Sequence, residues 1–284
     1  MFDTAILVLL YNKEINQSST LNSLINLESK YPNAKLVIWN NGPKKLGSLE
    51  HSALSESGYQ VDIVETISNE SLAVIYNRFM QENKAQKYIL LDDDSELSDL
   101  FIQDSAASQP EHLSLPIITS KGKVQYPSID RKRYSSSTEL KANSKVTTIG
   151  SGLVIGKDVV NLFQQRFSNV FDERFYLYGV DTTFCLRLYQ GGLVQHVKLI
   201  SGFEHSLSKL ENESTKMARF RRIERSYERG LKLKYYVPRN KAIFLLLKTG
   251  TSVLKRLCVG KRYQVSFIYV LKAFLSGKHY RSDS

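Results

Sequence analysis

The chain has 284 residues, 42% of them apolar and 24% charged, and a formal net charge of +11. At about 150 residues per domain, that length accommodates one large domain or two closely joined ones, with ample core. The composition is that of an ordinary folded protein and excludes a disordered, collagen-like or disulfide-stapled chain. The two cysteines, Cys185 and Cys258, have no zinc-type spacing and fit a reducing compartment.

Residues 4–10 form a continuous apolar run, as expected of a strand covered on both faces. Residues 1–10 lack the basic n-region and small-residue cleavage pattern of a secretory signal, so they read as a core strand. Residues 18–27 follow with helical spacing, and 35–39 form a second short strand ending in Asn40, Asn41 and Gly42. A third strand is expected over 61–64. Residues 71–80 read as a helix with Leu72, Ile75, Tyr76 and Phe79 on one face. A fourth strand over 88–91 ends abruptly in Asp92, Asp93 and Asp94. This alternation predicts an α/β fold with a mainly parallel sheet. In open sheets of that kind ligands collect beyond the carboxyl ends of the strands, where Asn12, Asn40 and the three aspartates fall.

The middle of the chain, 100–144, is less periodic, with Pro110, Pro116, Pro127 and a serine cluster at 135–137; irregular excursions and short strands are expected. Order returns over 147–155, where Gly150-Ser151-Gly152 allows a close backbone approach. Residues 180–189 read as a helix entered at Asp181.

Charge is unevenly spread. Residues 214–284 hold 18 Lys plus Arg against 3 acids, net +15, which leaves 21 against 25, net −4, in residues 1–213. A mildly acidic body with a strongly basic tail reads as a functional body attached to an anionic surface. Within 240–258, Ile243, Leu246, Leu247, Val253, Leu254 and Leu257 recur at helical spacing, while Lys241, Lys248, Lys255 and Arg256 fall mostly elsewhere. A second stripe joins Phe267, Val270, Leu271, Phe274 and Leu275, flanked by Lys261, Arg262, Lys272 and Lys278. Lys248 and Lys272 interrupt the longest apolar runs, so the tail is expected to lie on a membrane surface without crossing it. Docking of both helices on the body is the alternative. Nucleic acid is disfavoured because the aromatics belong to the apolar stripes.

The triplet Asp92-Asp93-Asp94 is the sharpest chemical feature. Three carboxylates at one strand end repel one another, so either a divalent cation or full solvation must compensate. Side chains at i and i+2 of an extended stretch point the same way, which lets Asp92 and Asp94 converge on one ion while Asp93 turns elsewhere. Magnesium or manganese suits such oxygen ligands. Asp181, behind the aromatic-rich segment Phe171 to Tyr178, is either a helix N-cap or a base placed against a sugar hydroxyl. His205 is a lone histidine.

These residues occur in a familiar order. Tyr11-Asn12, Asn40-Asn41-Gly42, Asn69 with Leu72-Ala73 and Asn77, and Asp92-Asp93-Asp94-Ser95 come first. Gly150-Ser151-Gly152, Phe171-Asp172-Glu173, Val180-Asp181, Cys185-Leu186-Arg187-Leu188, His205-Ser206, Tyr235-Tyr236 and Arg239-Asn240 follow. Together they resemble a family 2 inverting glycosyltransferase of the GT-A type. Asp94-Ser95, Val180-Asp181-Thr182 and Cys185-Leu186-Arg187 are most similar to the bacterial rhamnosyltransferase branch. Asn40 stands where that family usually has Asp, Ser71 where it has Gly, and Val180 where many members have Glu.

The resemblance implies a GT-A fold, with a Rossmann-like, mainly parallel sheet flanked by helices and a basic amphipathic helical extension. Residues 1–100 would form the nucleotide-sugar half, 101–213 the acceptor half and 214–284 the extension. Asp92, Asp94 and His205 would hold Mn2+ or Mg2+. Tyr11, Asn12, Asn40, Asn69, Asn77, Asp92 and Asp93 would line the nucleotide side. Tyr178, Gly152 and Arg187 would shape the acceptor side, and Asp181 would be the catalytic base. The implied reaction moves a sugar, rhamnose by the branch resemblance, from a dTDP- or UDP-linked donor to a saccharide acceptor on a polyprenyl diphosphate lipid. It would take place at the inner face of the bacterial cytoplasmic membrane, in O-antigen or capsule synthesis, with a homodimer through the C-terminal helices. Transfer of a UDP-hexose or galactofuranose by the same fold is one alternative, and a non-catalytic carbohydrate- or lipid-binding module is another. A pyrophosphorylase would need a Gly-rich or basic phosphate loop, and no Walker-type sequence occurs.

Overall fold

The computed structural model describes residues 1–47, 57–135, 137–205, 214–258 and 265–282. Ser136, Ser206, residue 213 of the expected boundary, Lys261, Arg262 and the side chains of Leu254, Arg256, Leu257 and Cys258 lie outside the described residues. The chain divides into two compact units. The first comprises Met1–Glu70, Ile75–Val170 and Arg187–Leu207, and the second Ser71–Val74, Phe171–Leu186 and Ser208–Ser284.

Four parallel strands build one side of the first unit's main sheet: β1 (Phe2–Leu10), β2 (Ala34–Asn40), β3 (Gln60–Glu65) and β4 (Ala85–Asp92). The helices α1 (Ser19–Asn26) and α2 (Leu72–Glu82) lie between them in the chain. After β4 come β5 (Ser95–Glu96), helix α3 (Asp99–Ala107), β6 (Leu113–Pro116), β7 (Ile118–Ser120) and β8 (Lys123–Tyr126). The short strands β9 (Ser128–Ile129), β10 (Lys132–Arg133) and β11 (Val146–Thr147) precede β12 (Val154–Gly156) and helix α4 (Lys157–Phe167). Helix α5 (Val180–Gln190), β13 (Val197–Ile200) and β14 (Glu204–His205) complete the mixed region.

The main sheet runs β13-β6-β12-β4-β1-β2-β3, parallel except where β12 pairs antiparallel with β4 and β6. Its register places Leu10 beside Asn40, Asn40 beside Glu65 and Leu9 beside Asp92. The carboxyl ends of β1, β2 and β4 therefore share one edge, as the strand pattern predicts. Seven consecutive residues of β1, Thr4 to Leu10, are buried, which explains their unbroken apolar run. On one face Ile6, Val8, Leu36, Ile38 and Ile89 pack with Leu21 and Leu24 of α1 and with Phe101 and Ile102 of α3.

The stretch expected to hold irregular excursions and short strands contains a helix that periodicity does not show, and one of its short strands is buried in the main sheet. Helix α3 starts at the N-cap Ser98, whose hydroxyl accepts from Phe101 N. Strand β6 is only four residues long and hides the polar Ser114, whose hydroxyl meets that of Ser108 at 2.6 Å. A strand this short acquires its burial from its neighbours rather than from a pattern of its own.

In the second unit, α6 (Thr215–Tyr236), α7 (Arg239–Cys258) and α8 (Phe267–Ser276) pack around Leu233, Ala242, Leu246 and Val270. The apolar stripe expected on α7 is split by this packing. Ala242, Leu246 and Thr249 face the core, whereas Ile243, Phe244 and Leu247 are 47%, 64% and 63% exposed. No described helix is long and apolar enough to cross a membrane.

Candidate functional site

The acidic triplet occupies the turn between β4 and β5, and its main chain is tied to the start of α1. Thr20 Oγ1 donates to Asp92 O at 2.6 Å and accepts from Ser95 N at 2.9 Å, and Ser18 Oγ donates to Asp93 O at 3.0 Å. Ser151 Oγ accepts from Asp92 N at 3.0 Å and meets Ser95 Oγ at 3.1 Å. The aspartates are thus held from both sides of the sheet edge by small hydroxyl side chains.

Strand β14 brings in the histidine. Ser95 and Glu96 pair antiparallel with His205 and Glu204. His205 Nδ1 lies 3.0 Å from Ser95 Oγ and 3.4 Å from Asp94 Oδ1, and Nε2 lies 4.0 Å from Asp92 Oδ2. One ligand atom each from Asp92, Asp94 and His205 falls within 4.8 Å of the other two. Asp93 turns away: its carboxylate pairs with Lys13 Nζ at 2.6 Å and accepts from Tyr11 N at 3.3 Å. Asp92 and Asp94 thus converge and Asp93 diverges, as read from the sequence, but Asp93 and Asp94 do so as turn residues between β4 and β5 rather than along an extended strand.

The electrostatics of the trio are unbalanced. Burial pushes the Asp94 carboxyl above its ordinary range, against the lowering effect of His205, and the charge of Asp93 adds to the rise. Burial likewise pulls His205 below the ordinary imidazole value, against the raising effect of Asp94 and Asp93. Asp94 Oδ1 is buried and accepts no hydrogen bond among the described residues. A buried carboxylate oxygen without a hydrogen bond, beside an imidazole whose charged form burial disfavours, fits a divalent cation, which offers the carboxylate a compensating charge and takes a ring nitrogen as ligand.

The remaining predicted residues take several settings. Tyr11 is exposed, and Asn12, at φ 53°, donates its N–H to Gly42 O at 2.7 Å. Asn40 is buried: its amide donates to Lys44 O and to Glu65 Oε1, and its Oδ1 accepts from Gly42 N. Asn69, at φ 58°, accepts from Asn41 Nδ2 at 3.4 Å, and Asn77 is buried on α2. Gly152 has φ +85°, and a Cβ there would lie 2.6 Å from Pro116 Cγ and 2.8 Å from the Phe203 ring, so what approaches this glycine is side-chain packing. Arg187 is buried, donating to Asn169 O at 3.0 Å with its guanidinium over Phe167.

In the second unit, Asp181 stands in the first turn of α5. Gly179, at φ +95°, sets the bend before it, and a Cβ there would strike Phe175 at 2.5 Å. The segment is held from several directions. Ser71 Oγ donates to Phe175 O at 3.0 Å and Leu72 N donates to Tyr176 O at 2.8 Å. Arg225 stacks over Tyr178 at 4.9 Å. The buried Asp172 accepts from Arg174 and, at 2.6 Å, from Tyr236 Oη. Ser71, standing where the resemblance leads one to expect glycine, uses its hydroxyl to pin this loop.

Sequence reasoning gave no role to Thr20, Lys13 or Asn41. Thr20 and Lys13 act on residues more than 70 positions away. Asn41 binds Thr66 Oγ1 and the Glu70 backbone. No local pattern marks such partners.

No protein-family model matches the sequence, and no curated protein matches it. Solved structures do. The crystal structure of S. aureus TarS 1-349 is 12% identical, with a TM-score of 0.53 over 82% of this chain and 64% of that one. The complex of TarS 1-349 with UDP gives 13% identity and a TM-score of 0.51 over 82% and 66%. The complex with UDP-GlcNAc gives 13% and 0.50 over 80% and 66%. This chain spans less than two thirds of the length of those structures. What it shares with them is the fold: a mixed α/β architecture with a mainly parallel sheet flanked by helices, as the order of elements in the sequence predicts, and GT-A-like, as the resemblance implies.

Proposed function

We propose that this protein is a metal-dependent, inverting glycosyltransferase that moves a sugar from a nucleoside diphosphate to a saccharide hydroxyl. The observation that carries the reading is the convergence of Asp92, Asp94 and His205 at the carboxyl edge of the parallel strands. Binding of UDP and UDP-GlcNAc by TarS, which has this fold, supports a nucleotide-sugar donor. It also favours a UDP-hexose as the second donor to test, after the dTDP-linked deoxyhexose implied by the rhamnosyltransferase-like motifs.

Asp92, Asp94 and His205 would hold Mn2+ or Mg2+, and when bound that ion supplies Lewis-acid stabilisation of the charge developing on the departing diphosphate. Tyr11, Asn12, Asn40, Asn69, Asn77 and Asp93 form the nucleotide side, in the half made of residues 1–100. Gly152, Tyr178 and Arg187 shape the acceptor side, in 101–213. Asp181 accepts the proton of the attacking acceptor hydroxyl, so that one displacement inverts the sugar's anomeric centre.

The extension, 214–284, holds the enzyme at the inner face of the bacterial cytoplasmic membrane, where the acceptor is a lipid-linked saccharide of surface polysaccharide synthesis. Supporting this, Lys241, Lys248 and Lys255 recur every seven residues beside the exposed Ile243, Phe244 and Leu247 on α7, with Ile268 and Leu275 exposed on α8. Lysines edging an apolar stripe suit an interfacial helix that buries the stripe and keeps its ammonium groups among lipid headgroups. Dimerisation through these helices is the competing use of the same stripe.

The test is Asp181→Asn. Turnover should fall by at least about a hundredfold while Mn2+-dependent binding of the nucleotide sugar survives. Near-normal transfer by the variant removes Asp181 from the base role.

A further inference from the structure

Lys121, Lys123, Arg131, Lys132 and Arg133 are exposed within 13 residues of one another, and none of the five takes part in an ion pair among the described residues. They sit on two adjacent hairpins. The β7–β8 hairpin carries Lys121 at its turn, at φ 52°, and Lys123 beside it; the β9–β10 hairpin carries Arg131, at φ 69°, then Lys132 and Arg133, and β10 lies against β8.

The acids within this stretch do not neutralise them. Asp130 spends its carboxylate on Ser144 Oγ at 3.0 Å and Lys145 N at 2.8 Å, and Glu139 pairs with Lys141 at 3.3 Å. Residues 119–145 hold 7 Lys plus Arg against 2 acids, net +5. The rest of residues 1–213 then holds 14 against 23, net −9. A cationic island on an acidic body concentrates a positive potential at one place.

That place is joined to the trio. Strands β5, β14, β7 and β8 form one small sheet in that order, with Thr119 opposite Glu204. Glu204, the neighbour of His205, accepts from Thr119 Oγ1 at 2.7 Å and from the backbone N–H of Lys121. The hairpin bearing the cations is therefore locked to the strand bearing His205.

The chemistry of the patch points to a glycan rather than a bilayer. No large apolar side chain is exposed between residues 119 and 145, in contrast to α7. Gln125, Ser128, Ser135 and Thr138 lie among the cations and offer neutral hydrogen-bonding groups to hydroxyls. We infer that this two-hairpin patch binds the anionic groups, phosphate or carboxylate, of an acidic saccharide acceptor. The inference rests on the transferase reading for the word acceptor. Guanidinium forks such as those of Arg131 and Arg133 match both anions in bidentate geometry.

The experiment compares binding of dextran phosphate, carboxymethyl dextran and neutral dextran to the full chain at low ionic strength. The wild type should prefer at least one charged dextran to the neutral one by about tenfold, the preference fading with salt. The triple variant Arg131→Gln, Lys132→Gln, Arg133→Gln should lose about that factor, and Lys121→Asn with Lys123→Gln should shift it the same way. Removing an equal charge elsewhere on the first unit, by Lys84→Gln, Lys157→Gln and Lys198→Gln, should leave it unchanged. Circular dichroism confirms that each variant is folded.

Equal binding of charged and neutral dextran by the wild type overturns the inference. So does an equal drop in that control variant, or a patch variant that loses affinity for a DNA oligonucleotide or phosphatidylglycerol vesicles but not for charged dextran. Which charged dextran is preferred separates phosphate from carboxylate. Binding of UDP with Mn2+ is measured in parallel. Its absence from the wild type removes the transferase reading and leaves the dextran comparison standing.

Discussion

Ser95 and His205 are 110 residues apart in sequence and face each other across an antiparallel bridge, Ser95 Oγ lying 3.0 Å from His205 Nδ1. The same hydroxyl reaches Ser151, whose Oγ holds the Asp92 amide. One small side chain thereby orients the imidazole and is linked to the strand end that presents the first aspartate.

Removing that hydroxyl should loosen the trio without unfolding it, because the bridge itself is made by backbone groups. For Ser95→Ala we expect Mn2+ affinity, measured by calorimetry in the presence of UDP, to fall by about tenfold or more, as is usual when a partner that orients a ligand is lost. Unchanged affinity would show that Ser95 supports the fold and not the ion.

Asp94→Asn makes the opposite kind of test. Asp94 Oδ1 is buried without a hydrogen bond among the described residues, and burial raises the pKa of Asp94, so in the metal-free protein this carboxylate is a burden on the native state. The metal-free variant should melt at or above the wild-type temperature, while the upward shift produced by Mn2+ disappears. A variant that melts lower and still responds to Mn2+ would contradict both halves of the argument.

The exposed stripe of α7 makes a third prediction. Full burial of a Phe or Leu side chain is worth about 1.5–3 kcal/mol. Phe244→Asp with Leu247→Asp should therefore weaken co-flotation with phosphatidylglycerol vesicles by at least about tenfold. Both side chains are more than 60% exposed, so the melting temperature should hardly change. Full flotation of the double variant would refute the interfacial role. A drop in molecular mass by light scattering, from dimer to monomer, would assign the stripe to self-association.

Strands β1, β2 and β4 were legible because each contains a run of apolar residues covered on both faces, whereas the edge strand β3, half-exposed throughout, showed only as the short stretch 61–64. The basic helices α7 and α8 were legible from their spacing, yet spacing alone put Ile243 and Leu247 with Leu246. Only the packing of α7 around Ala242 and Leu246 shows which side of the helix is left outside. Helix α3 escaped notice, the short strands expected over 100–144 were not individually placed, and the helical extension expected over 214–284 was not resolved into α6. β6 is four residues long and α3 is weakly amphipathic, so their burial depends on neighbours distant in sequence.

Local sequence determined the alternation of strands and helices and the shared polar edge, because apolar spacing dictates those from residue to residue, while the turn that splits Asp93 from Asp92 and Asp94 is held by partners just past β1 and at the start of α1. Tertiary structure alone decided that a solitary histidine more than a hundred positions later completes the acidic pair, and that the hairpin carrying Lys121 and Lys123 is fixed to the strand carrying that histidine. Such groupings depend on which strands pair, and pairing between distant segments is set by burial of the whole core rather than by any short stretch of the chain.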